Sequence, residues 1–144
     1  MLMARRRRIW IIDDNPDYCN VVKRISADKR PDWELEFFPD SRKLLDLLEK
    51  DVAMVPDLIV LDLIMPEPDG IKMLHYIKRN RQLRPIPTII VSESDSDTDA
   101  SLCYQAGANS YIVKPASLEE LRHFVAVTWQ YWLDIAATPS HQRL

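Results

Sequence analysis

One stretch, residues 57–62 (DLIVLD), constrains the fold more than any other part of the chain. Its interior is wholly apolar and contains two β-branched residues, which is typical of a strand buried on both faces of a parallel sheet. Two prolines and Gly70 follow Asp62 closely and predict that the chain leaves the sheet there. Because ligands of open α/β sheets bind beyond the carboxyl ends of the strands, Asp62 is a candidate functional residue. The alternative is an aspartate that only caps the next loop.

The other apolar runs alternate with segments of helical spacing. Strands are predicted over residues 9–12, 33–38, 58–62, 87–92 and 110–113. Helices are predicted after Asn15-Pro16, from Asp40 or Ser41, over 70–80, over 97–106 before Gly107, and from the Ser117 capping box onward. Five strands with a helix after each predict an α/β fold, a doubly wound five-stranded parallel sheet with five helices.

The 144 residues fit one domain, predicted over 9–137, with a basic flank at 1–8 and a tail at 138–144. A net charge of −3 argues against general nucleic-acid binding, and no apolar run approaches a membrane span. The arginines at 5–8 are expected to be solvated; a phosphate or membrane contact is the alternative. There is no signal-peptide pattern, and Cys19 and Cys103 are too few for a disulfide framework. We therefore expect a cytoplasmic protein that binds neither nucleic acid nor membrane.

Polar side chains stand at the carboxyl ends of four predicted strands. They are Asp13 and Asp14 after the first strand, Asp62 on the third, Ser92 on the fourth and Lys114 after the fifth. Because the strands are predicted to be parallel, all five residues lie at one end of one sheet. Each of them singly could be a helix cap or a surface charge, but their coincidence at strand ends favours a functional site.

Three carboxylates in one place repel one another unless a cation joins them. Magnesium suits such a site because it binds carboxylate oxygens, keeps several waters and often completes its shell with phosphate. A lysine and a hydroxyl would neutralise a phosphoryl group that carries nearly two negative charges. The sequence therefore predicts a phosphoryl-transfer site in which Asp62 is the nucleophile, helped by Ser92 and Lys114.

An ordered set of motifs indicates a particular family. The motifs are Asp13-Asp14, Leu61-Asp62, Met65-Pro66, Asp69-Gly70, Ser92, Ala106-Gly107-Ala108 and Lys114-Pro115. With these motifs the chain, over residues 9–137, resembles the receiver domains of two-component response regulators, the CheY-like family. The resemblance implies the strand order 2-1-3-4-5 and phosphorylation of Asp62 by a histidine kinase or a histidine phosphotransfer protein. It also implies the site roles: magnesium on Asp14 and Asp62, on Asp13 through water and on the Ile64 carbonyl; switching by Ser92 and Tyr111; phosphate contact by Lys114. It implies a cis peptide bond before Pro115.

Two neighbours of the site lead to further hypotheses. Glu93 stands where the family usually has a small residue, and its charge predicts slow phosphorylation by small anionic donors. The apolar Ile64 is expected to shield an acyl phosphate from water. Two other functions are disfavoured by the sequence. A phosphatase of the haloacid-dehalogenase type needs a second aspartate at position 64, where this chain has isoleucine. A nucleotide-binding fold needs a glycine-rich turn after the first strand, where this chain has Asn15-Pro16-Asp17. We expect a signalling protein rather than an enzyme, one that assists its own phosphorylation and autodephosphorylation.

The last predicted helix carries two apolar stripes. The stripe expected in the core comprises Leu118, Leu121, Val125, Trp132 and Ile135, and the second comprises Phe124, Val127, Trp129, Tyr131 and Leu133. The helix length and the 81–85 linker are similar to single-domain regulators that work with bacterial phytochrome kinases. We therefore expect a homodimer through the fourth helix, fifth strand and fifth helix, with Phe124, Val127, Trp129 and Tyr131 in the interface. The alternatives are a deeply packed helix and a docking dimer that works without phosphorylation.

Overall fold

Five apolar runs of the chain pair as parallel strands, and a helix follows each of them. The computed structural model describes residues 6–50 and 55–139. The strands are β1 (Arg8–Ile12), β2 (Glu34–Phe38), β3 (Leu58–Asp62), β4 (Thr88–Ser92) and β5 (Ser110–Val113). The helices are α1 (Pro16–Lys29), α2 (Ser41–Leu48), α3 (Gly70–Arg79), α4 (Asp97–Gln105) and α5 (Leu118–Gln130), and a π-helical turn (Tyr131–Ile135) follows α5. The sheet order is β2-β1-β3-β4-β5, so the predicted doubly wound fold is confirmed.

Two apolar clusters hold the helices to opposite faces of the sheet. On one face, side chains of α1 and α5 such as Val22 and Val125 pack on alternate strand residues that include Val60. On the other face, side chains of α2, α3 and α4 such as Leu44 and Cys103 pack on the intervening residues. All five residues of β3 are buried, as expected for the central strand of a sheet that is covered on both faces.

Local signals fix the ends of the helices. Asn15, Asp40, Asp69, Ser96 and Ser117 each accept a hydrogen bond from a backbone N–H in the first turn of the helix they precede. Gly107 follows α4 with a φ of 108°, a conformation that favours glycine. At Gly70 the reason for glycine is space, because an added Cβ would lie 2.4 Å from the carbonyl oxygen of Asp62.

The expectation of a cis peptide bond before Pro115 is wrong. Among the described residues the cis bond lies between Glu67 and Pro68, and the Lys114-Pro115 bond is trans. The proline lowers the cost of a cis bond but does not impose it, so the dipeptide alone does not decide which of the chain's prolines adopts it.

The basic flank also differs from its prediction. Arg8 is already the first residue of β1, and its guanidinium pairs with Glu34 and Glu36 of the neighbouring strand. Arg7 pairs with the buried Asp57. These two arginines are therefore fixed to the sheet rather than solvated, because acidic partners lie opposite them across the strands. Arg5 lies outside the described residues, as do positions 140–144 of the predicted tail.

The predicted facing of the last helix is partly wrong. Leu118 and Ile135, expected in the core, are exposed, whereas Phe124 and Trp129, expected in the interface, are buried together with Leu133. Trp129 donates a hydrogen bond from Nε1 to Ser26 Oγ of α1 at 3.0 Å. The spacing indicates which residues share a stripe, but when both stripes are apolar it does not indicate which of them faces the sheet.

The π-helical turn extends the helical layer past α5. Asp134 in this turn forms an ion pair with Arg30, the residue that caps the carboxyl end of α1. The Arg30 guanidinium also lies 3.7 Å above the centre of the Trp33 ring. The turn is thus anchored to the carboxyl end of α1. Within the part of the chain that the structure describes, no helix is both long and apolar enough to cross a membrane.

Candidate functional site

The carboxyl end of the sheet gathers acidic side chains from two strands. Asp13 and Asp14 follow β1, Asp62 ends β3, and one carboxylate oxygen from each lies within 4.8 Å of the others. Lys114 follows β5 and reaches across β4, so that its Nζ lies 3.0 Å from Asp13 Oδ2 and 3.6 Å from Asp62 Oδ2. Parallel pairing of β1, β3, β4 and β5 places all these residues at the same edge.

Backbone amides hold two of the carboxylates in place. Asp13 Oδ1 accepts a hydrogen bond from the N–H of Asn15 at 2.9 Å, and Asp62 Oδ1 accepts one from the N–H of Ile64 at 3.2 Å. Both aspartates are buried, whereas Asp14 is exposed at the mouth of the site. Because Gly70 has no Cβ, the loop after β3 can fold back against the Asp62 carbonyl, and the Gly70 N–H donates to the Leu63 carbonyl at 3.0 Å.

The site carries more negative than positive charge. Burial and the nearby charge of Asp13 raise the pKa of Asp62 from 3.8 to about 6, although Lys114 opposes the shift. Burial lowers the pKa of Lys114, but the hydrogen bond and charge of Asp13, together with the charge of Asp62, raise it overall. When all are ionised, three carboxylates face one ammonium, which leaves two negative charges in excess.

The donor set fits a hard divalent cation. Three carboxylate oxygens that can reach one point are the ligands preferred by Mg²⁺ and Mn²⁺, and the exposed Asp14 leaves one side of the site open to water. Nitrogen or sulfur ligands, which softer metals require, are not part of this cluster among the described residues. The excess negative charge favours a bound cation, because the cation relieves the repulsion that raises the pKa of Asp62.

Ser92 and Tyr111, expected as switch residues, are linked through the loop after β4. Ser92 is fully buried at the end of β4, and its Oγ accepts a hydrogen bond from the N–H of Ser94 at 3.1 Å. The hydroxyl of Tyr111 donates to the backbone carbonyl of Ser94 at 2.8 Å. Ser94 therefore contacts both residues, a connection that nothing in the sequence indicated.

The rim of the site is formed by Glu93 and Ile64. Glu93 is exposed next to Ser92, and its charge contributes to the raised pKa of Lys114. Ile64 exposes 58% of its surface beside Asp62. Both side chains are therefore exposed next to residues of the site.

Sequence reasoning missed one aromatic residue at the site. The Lys114 ammonium lies 4.2 Å from the centre of the Tyr18 ring, which projects from the first turn of α1. Burial, with the charges of Asp13 and Asp62, raises the pKa of Tyr18. Tyr18 stands at helical spacing from Val21 and Val22, and it packs against the apolar cluster between α1, α5 and the sheet. Only the fold brings it under Lys114.

The expected interface residues separate into two groups. Val127 and Tyr131 are each 48% exposed, whereas Phe124 and Trp129 are buried in the core and present little surface to a partner. Other exposed apolar side chains stand on α4, β5 and α5, the three elements of the predicted interface. They are Leu102 and Tyr104 on α4, Val113 on β5 and Leu118 on α5.

The fold and this arrangement of carboxylates, lysine and serine define a class of signalling domain. A family model described as "Response regulator receiver domain" matches residues 9–126, and the chain belongs to that family. Receiver domains of two-component systems take phosphate from histidine kinases and bind a divalent metal at an acidic pocket, and they generally signal rather than catalyse.

Individual relatives share most of the chain's length. The chain is 32% identical to the probable methanogenesis regulatory protein FilR2 of Methanothrix harundinacea, over 91% of this chain and 86% of the relative. It is 26% identical to response regulator Rcp1 of Synechocystis, over 92% of each chain.

Solved structures agree with these sequence matches. The phosphorylated cyanobacterial phytochrome response regulator RcpA superposes with a TM-score of 0.87 at 29% identity, covering 94% of this chain and 100% of that one. The Mn²⁺-bound form of Rcp1 superposes with a TM-score of 0.83 at 27% identity, covering 93% of this chain and 99% of that one.

Proposed function

We propose that this protein is a response regulator that accepts a phosphoryl group on Asp62 from a histidine kinase or a histidine phosphotransfer protein. The single observation that carries the proposal is the position of the Asp62 carboxylate. It is buried at the end of the central strand, beside two further carboxylates, with the Lys114 ammonium 3.6 Å away. Such a carboxylate is a nucleophile with a cationic partner already in place for the charge that arrives.

In the proposed transfer, an oxygen of Asp62 attacks the phosphorus, and the phosphorus–nitrogen bond to the donor histidine breaks. The imidazole leaves with the electron pair of that bond. The Lys114 ammonium neutralises a phosphoryl oxygen, and the Ser92 hydroxyl donates a hydrogen bond to another. In autodephosphorylation, water attacks the same phosphorus, the bond to the Asp62 oxygen breaks, and the carboxylate and inorganic phosphate are released. Ile64 at the rim is expected to slow this step by excluding water.

The metal proposed for this site is Mg²⁺. Asp14 and Asp62 would hold it by their side chains, Asp13 through a water molecule, and the backbone carbonyl of Ile64 would complete the protein's ligands. When bound, the ion would offset the two excess negative charges of the site and so lower the repulsion that the transferred group meets. The Mn²⁺-bound form of Rcp1 supports a divalent cation at such a site.

The proposed switch begins at Ser92. Its hydroxyl now accepts from the N–H of Ser94, and the Ser94 carbonyl holds the Tyr111 hydroxyl. A phosphoryl group on Asp62 would draw the Ser92 hydroxyl inward and weaken this arrangement, which would free Tyr111 to turn inward. A change from mostly inactive to mostly active needs a free-energy difference of about 5 kcal/mol, which charge-assisted hydrogen bonds can supply.

The proposal is tested by incubating the purified protein with phosphoramidate and Mg²⁺ and separating phosphorylated from unmodified chain by phosphate-affinity electrophoresis. The wild-type protein should acquire one phosphoryl group, and Asp62→Asn should acquire none. Asp17→Asn is the matched control, since Asp17 is an exposed carboxylate in the first turn of α1, and it should behave like wild type. Phosphorylation of Asp62→Asn, or none of the wild type, contradicts the proposal.

We further propose a homodimer through α4, β5 and α5. The support is the exposed apolar side chains of these elements, including Val127 on α5, together with Tyr131 at the start of the π-helical turn. Light scattering at micromolar concentration should give twice the mass of the chain, and Val127→Glu should lower it. A monomer for the wild type would remove this part of the proposal. The cytoplasmic location stays a prediction from sequence.

The alternative function is a docking dimer that works without phosphorylation. The exposed charge of Glu93 beside Ser92 is the observation that favours it. The two functions differ in whether partner binding depends on phosphorylation. A docking dimer should bind its partner equally well as wild type and as Asp62→Asn, with or without phosphoramidate. A phosphorylation-dependent change in mass or in partner binding favours the response regulator.

A further inference from the structure

Tyr18 faces the positive charge of the site. The centre of its ring lies 4.2 Å from Lys114 Nζ, while Asp13 Oδ2 and Asp62 Oδ2 lie 3.0 and 3.6 Å from the same nitrogen. The Lys114 side chain is only 11% exposed. Two carboxylates and one aromatic face therefore lie close to this ammonium.

The position of Tyr18 follows from the local sequence. Asn15 Oδ1 accepts hydrogen bonds from the backbone N–H groups of Asp17 and Tyr18, at 3.0 and 3.1 Å, and Pro16 fixes the first turn of α1. The ring then packs against the apolar cluster that contains Phe124 and Trp129. The helix cap and the core together hold the ring where it is.

An aromatic ring at this place differs from an aliphatic side chain of similar size. A cation within about 6 Å of the centre of a ring is attracted by the negative face of the π-system, more strongly when water is excluded. Leucine would fill much of the same volume without that attraction. The hydroxyl of Tyr18 is not needed for the attraction, because phenylalanine has the same aromatic face.

We propose that Tyr18 is a positioning residue for phosphoryl transfer: its ring holds the Lys114 ammonium over Asp13 and Asp62, where the phosphoryl group arrives. Without the ring, only the two carboxylates would hold the flexible lysine stem, and its ammonium would spend less time beside Asp62. The proposal rests on the proposed function, since the transfer to Asp62 is the step that the position of Lys114 serves.

The first test is the rate of phosphorylation by phosphoramidate with Mg²⁺. Tyr18→Phe should react like wild type, and Tyr18→Leu should react about 2- to 30-fold more slowly, the range expected for loss of a partly buried cation–π contact. Tyr76→Leu is the matched control, because Tyr76 is a half-exposed tyrosine on α3, and it should leave the rate unchanged. If Tyr18→Leu does not fold, judged by its thermal midpoint, Tyr18→Met takes its place with the same expected loss.

The second test does not depend on phosphorylation. The ring current of Tyr18 should shift the ε-methylene and ammonium proton resonances of Lys114 upfield in wild type and in Tyr18→Phe, and the shift should disappear in Tyr18→Leu. A purely structural role for Tyr18 would not produce this pattern. The proposal is overturned if Tyr18→Leu reacts at the wild-type rate, if Tyr18→Phe is as slow as Tyr18→Leu, or if the Lys114 resonances do not respond. A wild-type protein that shows the shift but takes no phosphate would contradict the proposed function instead.

Discussion

Two buried aspartates bracket the central strand, and their surroundings are opposite in charge. Asp57 precedes β3 with 2% of its surface exposed, and Asp62 ends β3 with 6% exposed. Asp57 accepts a hydrogen bond from the N–H of Arg8 at 2.8 Å, and the Arg7 guanidinium lies 3.7 Å from its other oxygen. Asp62 has Lys114 at 3.6 Å but shares its site with Asp13 and Asp14. Burial of a carboxylate therefore does not define its role; the sign of the neighbouring charges does.

The largest expected effect comes from removing the carboxylate that has cationic partners. Asp57→Ala should lower the free energy of unfolding by about 2 to 4 kcal/mol, because the Arg8 N–H and the Arg7 guanidinium lose a buried acceptor. Urea denaturation measures the change. Asp46→Ala, at an exposed position on α2, is the control and should stay within about 0.5 kcal/mol of wild type. A loss no larger than that of the control would mean that Asp57 is not a structural anchor.

Removal of the Asp62 carboxylate, at the other end of β3, is expected to change the free energy of unfolding in the opposite direction. Without divalent cations at pH 7, Asp62→Asn should raise the free energy of unfolding by about 1 to 2 kcal/mol, because it removes one of three mutually repelling carboxylates. The same urea titration measures it, in a chelating buffer.

The pH dependence of this gain has a definite sign. The folded-state pKa of Asp62, about 6, lies above the ordinary 3.8, so protonated Asp62 stabilises the fold below pH 4 and this contribution is lost as the pH rises through 6. The advantage of Asp62→Asn over wild type should therefore be smallest near pH 4 and largest at pH 7. An advantage that does not change with pH would show that charge is not its cause.

A smaller effect is expected from the metal. Mg²⁺ at ten times its dissociation constant should stabilise the wild-type protein by about 1.4 kcal/mol, and a chelator should reverse the change. Asp57 has cationic neighbours and should not contribute to metal binding. Thermal unfolding of Asp62→Asn in the same magnesium concentration supplies the comparison, and an undiminished stabilisation of that variant would place the metal elsewhere.

The smallest effect is expected at the rim. Glu93 adds another negative charge near Asp62, so Glu93→Ala should speed phosphorylation by phosphoramidate about two- to fivefold, the factor expected for an exposed charge. Asp95→Ala, at the next exposed acidic position along the loop, is the control for charge alone. Equal acceleration by both variants would indicate general repulsion rather than a local effect of Glu93.

The comparison of the two aspartates also shows what sequence can and cannot predict. Parallel strands with polar ends predicted the fold and drew attention to Asp62, because strand ends of a parallel sheet must meet. The same reasoning is silent on Asp57, whose partners Arg7 and Arg8 come from a flank that was expected to be solvated. Contacts across strands depend on register, which the sequence pattern does not give.

Helix α5 shows a second limit of the sequence. Its two apolar stripes were both identified from spacing, but burial of Trp129 and exposure of Leu118 depend on where the helix crosses the sheet and on the hydrogen bond to Ser26. The contact of Tyr18 with Lys114 joins the start of α1 to the end of β5. Residues so far apart in sequence are brought together by the folded layers alone.

The proposed function requires a covalent phosphate on Asp62, and chemical reduction detects such a phosphate directly. Borohydride reduces an aspartyl phosphate to homoserine, so the protein can be phosphorylated with phosphoramidate and Mg²⁺, reduced, digested and sequenced by mass spectrometry. We predict homoserine at position 62 and unmodified aspartate at positions 13, 14 and 57. Homoserine at any of those three positions, or aspartate retained at position 62 in a protein that has taken up phosphate, would contradict the account.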